Sequence, residues 1–215
     1  MADLLTGYHD VHLTPDPART VVWEAVAAHL APWLPPEGTV LEIGAGYCDW
    51  INSVHAARRV AVDMWPRFAS YAADGVEATV LDAATELWKL QDASFDAVLA
   101  SNVLEHFTPE VVPTVVAGIA RLLRTGGRFL VIQPNFRYAA RTYFDDYTHR
   151  SIFTHVSLPA LLRAQGFAID RIEPRFLPYS MRGVRVPITR WLVAAYLRSP
   201  LKPGAGQMLV IATKQ

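Results

Sequence analysis

Two groups of side chains in this sequence have the types and spacing to move a proton. In Asp145-Asp146-x-x-His149, two carboxylates lie within four positions of an imidazole. An imidazole titrates near neutral pH, so His149, oriented by a carboxylate, can act as general base toward a hydroxyl. A second reading has Asp145 and Asp146 helping to hold a hard divalent ion, which binds two sugar hydroxyls and acidifies one. A solvated acidic turn with a capping Asp competes with both. Glu105-His106 is a weaker base candidate. Of the 7 histidines, His106 and His149 sit at a strand's carboxyl end and within the polar insert, respectively. His29 falls on an apolar helical stripe and reads as packed, and His55 and His155 have no obvious role.

A ligand-binding pattern lies upstream. Thr39-Val40-Leu41-Glu42-Ile43 reads as a buried strand, and Gly44-Ala45-Gly46-Tyr47-Cys48 as a tight turn entering a helix. Glycine permits positive φ and leaves no Cβ in the way of a ligand, and the amide groups of a following helix would point at the same place. Glycines kept only for packing are the competing reading. Arg59-Val60-Ala61-Val62-Asp63 ends in an acid nineteen positions beyond Gly44 (63 − 44). Dinucleotide-binding folds place a ribose-binding carboxylate at about that distance. Ala78-Thr79-Val80-Leu81-Asp82 reads as a third strand, again ending in an acid. That Asp binds a ligand or caps a turn.

The elements that position these groups alternate between strand and helix. Asp16-Pro17 starts a helix, with Asp as N-cap and Pro at the first position. Asp49 to Ala56 predicts the first crossover helix, Ser94 to Asn102 a fully apolar fourth strand, Thr108 to Leu123 a long helix, and Arg128 to Ile132 a fifth strand. The rhythm calls for a parallel, doubly wound α/β sheet. Residues 133–156 break it with aromatic and charged side chains, placed where inserts build substrate pockets. Ser157 is expected to cap the next helix, which Gly166 ends. Phe167–Ile172 and Met208–Thr213 complete the strands, around an insert over residues 174–206 with an amphipathic segment from Ile188 to Leu197. Residues 1–15 are a surface tail or an arm over the site carrying Tyr8 and His9.

Composition limits the function classes. The 215 residues suit one domain, 52% hydrophobic residues supply a large core, and the formal net charge is zero, which gives no global attraction to nucleic acid. Cys48 is the single cysteine, so no internal disulfide forms. No apolar run approaches a membrane span, and the beginning of the chain does not read as a signal peptide; a cytoplasmic location is expected.

The ordered set Val40-Leu41-Glu42-Ile43-Gly44-Ala45-Gly46, Asp63, Asp82, Phe95-Asp96-Ala97-Val98 and Ser101-Asn102-Val103-Leu104-Glu105-His106 resembles the class I S-adenosylmethionine-dependent methyltransferases. The resemblance covers roughly Asp16 to Thr213. It implies a Rossmann-like, seven-stranded sheet in the order 3-2-1-4-5-7-6, with the last strand antiparallel and helices on both faces. It implies S-adenosylmethionine as cofactor, with Gly44, Ala45 and Gly46 near its methionine end and Glu42 supporting their turn, and it permits Mg2+ at Asp145 and Asp146, since some saccharide O-methyltransferases of this fold work with magnesium. Asp63 would take the ribose hydroxyls, Met64 would flank the adenine, Asp82 and Ala83 would read the adenine edge, and Ser101 and Asn102 would border the sulfonium. Cys48 stands where a third glycine is frequent, which implies a slightly different entry to the first crossover helix. A nicotinamide-dependent oxidoreductase shares the first two signatures but does not predict Asp82 or Glu105-His106.

For the acceptor, Asn135, Tyr138, Arg141, Tyr143 and Tyr147 suit a pocket for sugar rings, since aromatic faces take the apolar ring faces and polar groups the hydroxyls. An aromatic lid packed on the core is the competing reading. The expectation is an O-methyltransferase acting on a sugar, oligosaccharide or other small molecule, within which a methylated mannose polysaccharide is the specific suspicion. An RNA methyltransferase and a non-catalytic cofactor-binding regulatory module are the other classes. Ser101-Asn102-Val103-Leu104 replaces the Asn/Asp-Pro-Pro-aromatic motif of enzymes that methylate base amino groups. The basic C-terminal quarter (Arg171, Arg175, Arg182, Arg185, Arg190, Arg198 and Lys202) reads as a solvated face, an anionic-acceptor site or a homodimer interface.

Overall fold

β1 (Thr39–Ile43) and β4 (Phe95–Ser101) lie side by side at the centre of the sheet, and nearly every side chain they carry is buried. That is why both read as near-continuous apolar runs. The computed structural model describes residues 14–178 and 188–215. Tyr8 and His9 of the expected arm, and Arg182 and Arg185 of the basic quarter, lie outside the described residues.

Five further strands complete the sheet: β2 (Arg58–Asp63), β3 (Val76–Val80), β5 (Leu123–Pro134), β6 (Phe167–Glu173) and β7 (Gln207–Lys214). Their order is β3-β2-β1-β4-β5-β7-β6, as the resemblance implied. β3 through β5 pair in parallel, and β7 runs antiparallel to both β5 and β6. Alternation along the strands splits the core in two. Val40, Leu99, Ile132 and Ile211 pack toward α1 (Pro17–Leu30), α2 (Asp49–Ser53) and α6 (Arg190–Arg198). Leu41, Val98, Val131 and Val210 pack toward α3 (Val112–Leu122) and α5 (Ser157–Ala164). Each fully buried side chain of this size contributes about 1.5–3 kcal/mol relative to its exposed form.

Several boundaries differ from the sequence expectation, each for a local reason. α1 begins as expected, with Asp16 Oδ1 accepting from the Ala18 N–H. β3 ends at Val80 rather than Asp82. Asp82 instead accepts from the Ala84 N–H and the Thr85 hydroxyl, an Asx turn that draws it out of the ladder. α2 stops at Ser53, short of Ala56. α3 starts at Val112 rather than Thr108, with Pro113 in its first turn, where a missing N–H costs nothing. β5 begins at Leu123, with a register shift opposite Phe95 and Ala97. Ser157 is the first residue of α5, not its cap. Thr154 Oγ1 accepts from the N–H groups of Val156 and Ser157, while Ser157 Oγ accepts from the Thr154 N–H.

Candidate functional site

The turn after β1 is built from consecutive special backbone conformations. Gly44 (φ +70°), Gly46 (φ +52°) and Cys48 (φ +58°) are all left-handed. The amides of Gly44 and Ala45 donate to the Val62 carbonyl, which ties the turn to β2. A Cβ at Gly44 would lie 2.4 Å from Val103 Cγ2. Glycine is therefore required by the neighbouring β4 loop, a reason the sequence does not disclose. Cys48, in the frequent third-glycine position, adopts glycine's own conformation, at about 1–2 kcal/mol. Its thiol is buried against the Phe68 carbonyl. Burial, reinforced by the carboxylates of Glu42, Asp63 and Asp49, pushes that thiol up to about 12.

Carboxylates brace the turn from beneath. Glu42 is buried and accepts from the Ile51 N–H at 3.1 Å, a bond to α2 rather than to the glycine turn it was expected to support; burial raises its pKa well above the ordinary value. Asp63 accepts from the Gly46 N–H through Oδ2 and from the Trp65 N–H through Oδ1, both at 2.8 Å. Met64 beside it is 42% exposed. Asp82 and Ala83 are half-buried, and Asn102 is left-handed (φ +52°), with Oδ1 accepting from Gln207 Nε2 at 3.3 Å. An open glycine bend, a braced carboxylate one strand over and an exposed thioether next to it suit a nucleoside sulfonium. The side chains present fit S-adenosylmethionine.

The second grouping lies where β4 ends. Glu105 is 0% exposed, and neither of its carboxyl oxygens meets a hydrogen-bond partner beyond its own residue. Burial, opposed by its own backbone N–H and reinforced by the charge of Asp146, raises its pKa to about 8. The imidazoles of His106 and His149 are 5.0 Å apart between ring centres. His149 Nδ1 lies 2.7 Å from the Tyr143 carbonyl oxygen. A carbonyl only accepts, so Nδ1 carries the proton and Nε2 the lone pair. Nε2 lies 3.9 Å from Asp146 Oδ2. Burial lowers the His149 pKa, and burial together with the charge of His149 lowers that of His106 to about 4. Both rings are neutral at pH 7. Thr148 links them to Asp146: its hydroxyl lies 2.8 Å from His106 Nδ1, and its N–H donates to Asp146 Oδ1.

The structure assigns the remaining insert residues unevenly. Asp145 is exposed. The ligand atoms that converge are those of Glu105, His106 and His149, not the expected Asp145–Asp146 pair. Tyr143 is fully buried, its hydroxyl donates to the Ser151 carbonyl, and its ring packs 4.5 Å from His149. Asn135 is buried and spent internally, donating to the Pro174 carbonyl and accepting from the Arg137 N–H. Both shape the scaffold. Tyr138 is partly exposed, stacked on His155 with the Arg175 guanidinium 4.3 Å over its ring. It borders a hollow of about 520 Å³ with Arg171, Glu173, Arg175 and Lys202, distinct from the glycine turn. Arg141 and Tyr147 are exposed.

Sequence reading missed Val103, Gln207 and the aromatic group Tyr47, Trp65 and Tyr71, whose rings meet beside the glycine turn with Arg19 over Tyr47. Trp65, two residues past Asp63, was findable. Gln207 arrives from 105 residues away and left no local signal.

Known proteins give the geometry its context. Residues 41–131 match the family model of a methyltransferase domain, and no curated protein matches the chain. A S-adenosylmethionine-dependent methyltransferase from Archaeoglobus fulgidus superposes over 98% of this chain and 99% of its own, at 16% identity and a TM-score of 0.70. A structure described as the complex of the Haloferax volcanii Trm112 methyltransferase activator with a candidate methyltransferase superposes over 98% of this chain and 94% of its own, at 15% identity and a TM-score of 0.69. Geranyl diphosphate C-methyltransferase from Streptomyces coelicolor A3(2), solved with Mg2+, geranyl diphosphate and S-adenosyl-L-homocysteine, covers 89% of this chain and 76% of its own, at 15% identity and 0.64. At these identities the superpositions establish the fold. The glycine bend, Asp63 and β4 fall inside residues 41–131, the segment that matches the methyltransferase-domain model, and the chain is an enzyme with the class I S-adenosylmethionine-dependent methyltransferase fold.

Proposed function

We propose that the chain methylates a hydroxyl oxygen of a polar small molecule, with His149 as the proton acceptor. The observation that carries this reading is the bond from His149 Nδ1–H to the Tyr143 carbonyl, which leaves the lone pair on Nε2 of a buried ring whose segment is bonded to Glu105 just past β4. Bound S-adenosylmethionine supplies a methyl carbon on a positively charged sulfur. The acceptor oxygen forms the new C–O bond, the C–S pair returns to sulfur, and the hydroxyl proton passes to His149 Nε2. A base in this position accelerates transfer by roughly 10²–10⁴-fold. Glu105 and His106 flank the acceptor side, while Glu42, Gly44, Ala45, Gly46, Asp63, Met64, Asp82, Ala83, Ser101 and Asn102 hold the cofactor. A saccharide belongs to the acceptor class, supported by the exposed Tyr138, Tyr147 and Arg141, and a mannose polysaccharide is one member to test.

His149→Ala is the test. Calorimetry with S-adenosylhomocysteine should give an affinity close to wild type, while labelled methyl transfer to a saccharide panel falls at least 100-fold. Undiminished transfer in the variant would remove His149 from the mechanism. Equal, absent transfer in both proteins with every hydroxyl acceptor would favour the regulatory module instead.

A further inference from the structure

We propose that Glu105, His106 and His149 are the protein ligands of a divalent transition-metal ion that has open coordination positions for the acceptor. Among the described residues, this is the only grouping of three His, Cys, Asp or Glu side chains whose ligand atoms converge, all lying within 4.8 Å of one another. Donors at about 2.1 Å from a common ion are at most about 4.2 Å apart. Side-chain rotations that close the cluster by about 1 Å therefore suffice.

Glu105 points to an ion rather than to a packed core. A carboxyl group with no exposed surface and no polar contact beyond its own backbone N–H is a costly thing to keep in a folded protein. An ion beside it satisfies both oxygens. Outer-sphere bonding is already in place. Metal-ligating histidines commonly donate their other ring N–H to a carbonyl or carboxylate, and His149 does so to the Tyr143 carbonyl. His106 is held through Thr148, which is anchored in turn on Asp146. The insert that brings His149 is strapped to the Glu105 segment by the Arg150 and Ser151 N–H groups, which donate to the Glu105 carbonyl at 2.8 and 3.0 Å. The three ligands are thus fixed by two segments that share hydrogen bonds.

Two imidazoles and one carboxylate suit Zn2+, Mn2+, Fe2+ or Co2+, whereas Mg2+ prefers all-oxygen surroundings. Three protein ligands leave positions at which an acceptor's hydroxyls would bind and become more acidic. This inference rests on the hydroxyl reading above for its role in turnover, but not for its test. An ion on His149 Nε2 would acidify a bound hydroxyl in place of the imidazole, so metal ligation and direct proton removal by His149 are alternative ways of activating the same hydroxyl, and chelator-treated protein would keep the imidazole as base.

The test is a Co2+ titration of chelator-treated, tag-free full-length protein, followed by visible d–d absorption and calorimetry. The result expected is one Co2+ per chain. Glu105→Gln and His149→Gln should each weaken binding at least 100-fold, and Asp145→Asn should leave it unchanged. S-adenosylhomocysteine affinity in all three variants reports that the fold is kept. Absence of a stoichiometric site overturns the proposal, as does binding that survives Glu105→Gln and His149→Gln or is lost in Asp145→Asn. If no Co2+ binds yet methyl transfer persists in chelator, the metal site falls and the hydroxyl reading stands. If Co2+ binds through these ligands and no hydroxyl acceptor turns over, the metal site stands and the hydroxyl reading falls.

Discussion

Gly44→Ala separates two reasons for a glycine, which only their coupling to Val103 can distinguish. The backbone there is left-handed (φ +70°), and an added Cβ would lie 2.4 Å from Val103 Cγ2, well inside van der Waals contact. The conformational part costs alanine about 1–2 kcal/mol. The overlap adds about 1–3 kcal/mol, as the β4 loop moves to relieve it. Gly44→Ala should therefore destabilise the protein by about 2–5 kcal/mol. Val103→Ala removes the Cγ atoms and with them the overlap, but leaves the backbone term untouched. The double variant should recover about 1–3 kcal/mol relative to the sum of the single changes. Urea denaturation of the four proteins measures this cycle directly. Additivity within about 0.5 kcal/mol would refute the argument that Val103 is what demands a glycine. S-adenosylhomocysteine affinity of the double variant then reports on the ligand: restored stability with weakened binding shows that the bare Cα also faces the cofactor.

Further expectations concern ionisation. Glu173 is partly buried, and that burial raises its pKa; contacts with His29, Lys202 (2.5 Å) and Arg171 (2.7 Å) outweigh it and hold the carboxyl down at about 2, against an ordinary 4.5. A depressed folded-state pKa stabilises above the unfolded value, and the benefit is lost as pH falls from about 4.5 through 2. Discounted for solvent screening of a half-buried carboxyl, this depression is worth about 1–2 kcal/mol. Glu173→Gln should show that deficit at pH 7 and converge with wild type near pH 2 in urea melts; parallel profiles would refute the pairing. The Cys48 thiol, buried and held at about 12, should resist maleimide at pH 7.5 in the native protein and react within minutes in 6 M guanidinium. Rapid native labelling would show that the glycine turn opens.

The strands were legible because each is marked locally: apolar runs bounded by Gly, Pro and Asp read as strands whatever their partners, and parallel crossovers leave few topologies. Their order came from the methyltransferase resemblance, because which strands pair is not written in any one of them. The cofactor side was legible for the same reason. Glu42, Gly44, Gly46 and Asp63 lie within 22 consecutive positions, and backbone conformation and strand ends position them. Asp82 was half legible: its place near the end of a strand was read correctly, while its Asx turn depends on where Ala84 and Thr85 fall.

Sequence by itself determined the fold, the glycine bend and which residue types were available for chemistry. Tertiary structure decided what those residues are used for. Tyr143 and Asn135 have the composition of a substrate pocket, yet they are consumed in holding the insert, because a buried hydroxyl or amide must find a partner. Glu105 and His149 are 44 positions apart, and no spacing rule joins them. They meet because the insert donates its backbone amides to the Glu105 carbonyl, and side-chain chemistry at that distance is set by packing rather than by periodicity.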